Sequence, residues 1–99
     1  MDNISLIHEI KSRLREADLY EQLAEEAAEL SQAALKMSRS LRKRNPPKAS
    51  RAEIMANINE EIKDIGTVLC VLTGRDDGFN LNPEKLRRWY NRLEGDFSE

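Results

Sequence analysis

The sequence is poor in the residues that build β-structure, turns and covalent staples. Aromatic residues are 5% of the 99, with 4 glycines and 3 prolines, too few β-formers and turn residues for a sandwich or barrel. A lone cysteine, Cys70, excludes an internal disulfide and a cysteine-rich metal site and fits a reducing cytosol. No apolar run approaches the roughly 20 residues of a membrane span. Met1-Asp2-Asn3 offers neither the basic nor the apolar region of a signal peptide, so a cytoplasmic location is expected. Charge of one sign is also lacking: 16 basic against 18 acidic side chains leave a net charge of -2 and no global pull toward nucleic acid. What is present is 39% hydrophobic and 34% charged residue at a mean hydropathy of -0.68. At this length these values imply one small all-α domain covering residues 1–99.

Four helices are expected. The first spans about Ile4 to Arg15, capped by Asp2 or Asn3, with Ile7, Ile10 and Leu14 as its stripe. The second opens at Asp18 with a capping box to Glu21 and runs to about Arg42, where Asn45-Pro46-Pro47 must break it. The third opens at Ser50, boxed to Glu53, and ends near Thr73 before Gly74, a residue suited to a left-handed cap. The fourth begins at Pro83 after Asn82 and carries Leu86, Trp89, Tyr90 and Leu93. The short connection between the two long helices predicts an antiparallel hairpin.

The long helices look like copies. A shift of 35 residues superposes Leu19 on Ile54, Leu23 on Ile58, Glu25 on Glu60, Glu26 on Glu61 and Glu29 on Asp64, with further aliphatic matches to Met37 on Leu72. At about 100° per residue, and with Leu19 at zero, Leu23, Leu30, Ala34, Met37 and Leu41 fall within about 60° of it. Glu26 falls at about 340°, inside that stripe, Glu29 on its margin and Glu25 further toward solvent. The third helix repeats the pattern with Glu61 in the stripe, Asp64 on the margin and Glu60 beyond. A carboxylate on a buried face is costly unless paired or bound to a cation. Both pairs lie at similar depth, so Glu26, Glu29, Glu61 and Asp64 should converge across the hairpin. Residues 16–29 hold six acids and no Lys or Arg, and Lys63 is nearly opposite the stripe. All-oxygen ligation suits Mg²⁺, with Mn²⁺ as a substitute, better than zinc. A di-iron site normally wants a Glu-x-x-His pairing, and the only histidine, His8, has no such partner. The bland alternative is a solvated acidic face with helix salt bridges.

Glu25-Glu26-Ala27-Ala28-Glu29-Leu30 followed by Glu60-Glu61-Ile62-Lys63-Asp64-Ile65 resembles the ExxE…ExxD signature of the all-α, MazG-like nucleoside triphosphate pyrophosphatases. The resemblance covers about residues 19 to 94. It implies Mg²⁺ ligation by Glu26, Glu29, Glu61 and Asp64, with Glu25, Glu26 or Glu61 orienting the attacking water. In many relatives a C-terminal helix carries a lysine, then an asparagine three residues on, then basic residues that hold phosphate. Here Arg88-Trp89-Tyr90-Asn91-Arg92 has arginine in the lysine's place, which suggests Arg88, Asn91 and Arg92 as substrate-binding residues; the equal alternative is an ordinary amphipathic helix that packs Leu86, Trp89 and Leu93 and leaves its cations in solvent. Trp89 and Tyr90 are expected to pack rather than stack on a base. The sequence departs from the pattern in the 31 residues between Glu29 and Glu61, where Arg39 to Arg51 holds six basic residues and no acid. That stretch reads as a solvated turn, or as one reaching a neighbouring subunit's phosphate site.

Leu35 and Cys70 are equivalent under the same shift and lie away from the stripe, so a homodimer pairing two hairpins into a four-helix bundle, or a dimer of dimers, is expected. Cys70 then reads as a small buried hydrophobe. The function implied is Mg²⁺-dependent hydrolysis of a nucleoside triphosphate to monophosphate and pyrophosphate. The alternative is a non-catalytic helical module that binds nucleotide or protein. Binding of nucleic acid through Arg39 to Arg51 is a third reading, disfavoured by the acidic whole and the absence of interleaved aromatics.

Overall fold

The computed structural model describes residues 1–79 and 81–97. Four helices account for the secondary structure of these residues, with no strand among them: α1 (Asn3–Arg13), α2 (Glu16–Arg42), α3 (Arg51–Thr73) and α4 (Pro83–Phe97). The fold is therefore all-α, built on a long-helix hairpin as its sequence implies. α2 lies against α3, while α1 and α4 pack on each other and on α3. The molecule is elongated, 49 × 25 × 21 Å.

Local chemistry explains most helix ends. Asp2 accepts from Ser5 N at 2.8 Å and starts α1. Ser50 and Glu53 make the reciprocal box at the head of α3, at 3.1 and 3.4 Å. Gly74 ends α3 with φ of 72°, the left-handed geometry that a Cβ would strain. Asn82 Oδ1 accepts from Glu84 N and Lys85 N at the start of α4. Two expected boundaries are corrected. α1 stops at Arg13, and α2 opens at Glu16, so Asp18 lies in its first turn. There Asp18 Oδ2 accepts from Arg15 N at 3.2 Å, closing the box one turn earlier than an Asp18 cap would.

The core sits at one end, where Leu6, Ile7 and Ile10 of α1 meet Val68, Cys70 and Val71 of α3 and Leu86, Trp89 and Leu93 of α4. Each such side chain contributes about 1.5–3 kcal/mol when fully buried. A polar clip joins the two short helices: Arg13 Nη1 donates to Glu94 at 3.0 Å, and Tyr90 Oη donates to the same carboxylate at 2.7 Å. Cys70 is buried here, so α1 and α4 cover the second apolar face of α3 within the chain. Its counterpart on α2 stays open, with Leu35 59% exposed.

Candidate functional site

The buried stripe of α2 is Leu19, Glu26 and Ala33, flanked by half-buried Gln22, Leu23, Leu30 and Met37. It is centred near 340°, the phase of Glu26 itself, rather than on the arc from Leu19 to Leu41. Ala34 and Leu41, expected inside, are exposed, and Ala33 takes their place. Glu26 is 5% exposed, as deeply placed as its apolar neighbours.

Across the hairpin α3 presents Glu61 and Asp64, both half-buried. Glu26, Glu29 and Glu61 each offer a carboxylate oxygen, and these oxygens lie within 4.8 Å of one another, close enough to hold one metal ion. Three of the four expected ligands are thus brought into one cluster. Asp64 stands beside it, joined through Lys85, whose Nζ lies 3.2 Å from Glu26 Oε1 and 3.9 Å from Asp64 Oδ1.

The remaining expected residues divide. Glu25 and Glu60 are exposed, and Glu60 lines an open cleft with Lys63, Leu81, Asn82, Pro83 and Glu84. Arg88 and Arg92 line a second cleft with Gln22, Lys85 and Trp89, and Asn91 is exposed on α4. Lys85 is the member that sequence reading missed. The signal for it is indirect: a lysine one turn before Arg88 on the same face of the fourth helix. Its placement depends on Thr67, fully buried in α3, which donates to Lys63 O at 2.8 Å and accepts from Asn82 N at 2.9 Å. That bond fixes the start of α4 against α3.

Bonding inside the cluster is incomplete. Glu26 Oε1 accepts from Gln22 Nε2 at 3.1 Å and from Lys85, but Glu26 Oε2 and Glu61 Oε2 are buried with no hydrogen-bond partner. An orphaned buried carboxylate oxygen is expensive, so this geometry asks for a proton or a cation. The Glu61 carboxyl is pushed up to about 7, first by burial, then by the hydrogen bond it makes with Glu29 when one proton lies between them, then by the charges of Glu29, Asp64 and Glu26. Burial also raises Asp64; Lys85 acts against that rise, while Glu26, Glu60 and Glu29 add to it. The residues present therefore fit a hard divalent cation: several carboxylate oxygens, two of them unsatisfied, and no sulfur or imidazole among them.

Compared with protein-family models, with curated proteins and with solved structures, the chain matches none. No helix among the described residues is long and apolar enough to cross a membrane.

Proposed function

We propose that this chain is a Mg²⁺-dependent nucleoside triphosphate pyrophosphohydrolase of the MazG-like all-α type, acting in the cytoplasm on an NTP or dNTP. The observation that carries this reading is Glu26, 5% exposed with one oxygen orphaned, facing Glu61 across the hairpin with Glu29 one turn further along its own helix. A solvated acidic face would leave Glu26 as exposed as Glu29 is. Glu26, Glu29 and Glu61 would hold the metal, with Asp64 beside them as the fourth candidate ligand. When bound, Mg²⁺ neutralises the triphosphate and lowers the pKa of the attacking water, with Mn²⁺ able to replace it. Glu61 would be placed among the ligands to orient that water and take its proton; Glu25 is exposed, further toward solvent. Arg88 and Arg92 line the adjacent cleft and steady the phosphates, while exposed Asn91 has the weaker claim.

The test is release of pyrophosphate and monophosphate from the common ribo- and deoxyribonucleoside triphosphates, with Mg²⁺, Mn²⁺ or chelator. Metal-dependent pyrophosphate from one or a few substrates supports the reading. One observation favours the non-catalytic module instead: Lys85 already supplies a cation to Glu26. Silence across the panel from folded protein would give that module the better claim.

We further propose that two copies pair through α2. Its outer face exposes Tyr20, Leu35 and Leu41 at 56%, 59% and 57%, with small Ala24, Ala27 and Ser31 between them. The charges dictate the direction. Residues 16–29 hold six acids and no base, of which Glu26 and Glu29 turn into the hairpin and four remain, whereas residues 36–44 hold Lys36, Arg39, Arg42, Lys43 and Arg44 and no acid. Antiparallel pairing sets each acidic half on the partner's basic half; parallel pairing opposes like charges. Leu35→Glu is expected to give a monomer with unchanged helical circular dichroism, against a native mass of two chains or four by light scattering. A monomeric native protein would end this proposal.

A further inference from the structure

Lys85 sits on α4, yet its strongest contacts are with the hairpin. Its Nζ donates to Glu26 Oε1 at 3.2 Å and lies 3.9 Å from Asp64 Oδ1, so one ammonium bridges an acid of α2 and an acid of α3. Its side chain is 21% exposed, and that of Glu26 is 7% exposed. This is the position from which a divalent ion would also neutralise the pair. The same side chain lines the cleft with Gln22, Arg88, Trp89 and Arg92. A four-carbon stem with three rotatable donors can move its head from the acids to that cleft without disturbing α4.

We propose that Lys85 is a built-in stand-in for the metal: it holds the carboxylates together until a divalent cation enters, and is then turned out toward Arg88 and Arg92. Resting on the metal-binding reading above, this links the two halves of the site. Cation entry displaces one positive charge from the acids and delivers it to the phosphate cleft, so each loaded metal also strengthens the grip on the triphosphate. The acids stay compensated in both states, and a resident ammonium is a weaker competitor than a second metal.

The test compares native protein, Lys85→Gln and Lys85→Met with Arg87→Gln, an exposed α4 position whose loss removes the same charge. Mn²⁺ affinity is measured by calorimetry, and thermal unfolding is followed in chelator and in saturating Mn²⁺. With its competitor gone, the Lys85 variants should bind Mn²⁺ about tenfold more tightly than Arg87→Gln, a gain of about 1.4 kcal/mol. In chelator they should melt several degrees below Arg87→Gln, because Glu26 is left uncompensated, and Mn²⁺ should close that gap. A variant that unfolds in chelator but refolds on adding Mn²⁺ gives the same result in stronger form. Equal or weaker Mn²⁺ affinity, or a melting deficit that metal leaves in place, makes Lys85 a plain structural counter-ion and overturns the proposal alone. Absence of Mn²⁺ binding by every protein, native included, overturns it together with the metal-binding reading.

Discussion

Glu61→Gln is expected to remove metal-dependent pyrophosphate release, lowering kcat/KM by about 10²–10³-fold or more, while the helices remain. The amide keeps the shape of the side chain but is a poor ligand for a hard cation and cannot accept the water's proton. The fold should tolerate it, since Glu61 is held among three like charges rather than in a salt bridge. The same variant has a second signature in pH. The Glu61 carboxyl stands at about 7 in the folded chain against an ordinary 4.5, so the folded state keeps a proton that the unfolded state has released. Stability from this group is full below about pH 4.5 and is lost as pH rises through about 7. In chelator the native melting temperature should therefore fall across that window, and in Glu61→Gln the decline should flatten, with the raised Asp64 carboxyl leaving a residue of it. Asp2 and Glu94 are shifted the other way and act only as pH falls below the window. Mn²⁺ binding to native protein should tighten over the same range, because the metal must displace that proton. Undiminished turnover by Glu61→Gln, alongside an unchanged pH profile, would remove Glu61 from the site.

Which parts of this arrangement can be read from the chain depends on how locally each is determined. The ends of α3 follow from Ser50, Glu53 and Gly74, and the start of α4 from Asn82 and Pro83, because caps act through neighbours a few residues away. The approach of Glu26 to Glu61 follows from helical phase and the shared depth of two acidic motifs, quantities that a 3.6-residue period fixes. The start of α2 is less determined, since Asp18 can serve equally as a cap for Glu21 or as the third residue boxed back to Arg15. The exact centre of its stripe is also ambiguous, because alanines at 33 and 34 weigh alike in any periodicity and only packing on α3 chooses Ala33. Lys85 lies beyond such reasoning. Its meeting with Glu26 spans 59 residues and depends on the path from Gly74 to Asn82 and on one hydrogen bond from Asn82 to Thr67. Local rules give α4 its face but not its height along the hairpin.

That height is what the core at the end of the hairpin sets, and Leu86→Ala should expose the link. Leu86 is fully buried and stands next to Lys85, with Trp89 and Leu93 continuing the same face at 6% and 8% exposure. Truncation is expected to destabilise the protein by about 2–5 kcal/mol, combining lost transfer energy with the cavity left among α1, α3 and α4. For a chain of this size that is a large share of the total, which for small domains is about 5–15 kcal/mol. The urea midpoint should fall at unchanged slope, followed through Trp89, the one tryptophan in the chain, whose emission reports directly on α4 docking. Loosening α4 also withdraws Lys85 from Glu26, so the variant should resemble Lys85→Gln in gaining stability from Mn²⁺ more than native protein does. A loss under about 1 kcal/mol would mean that the core can close around the shortened side chain and that α4 is held mainly by its polar clip, Arg13 to Glu94 and Tyr90. The packing of one apolar side chain and the charge state of a buried carboxylate on another helix are, in this fold, parts of a single mechanical connection.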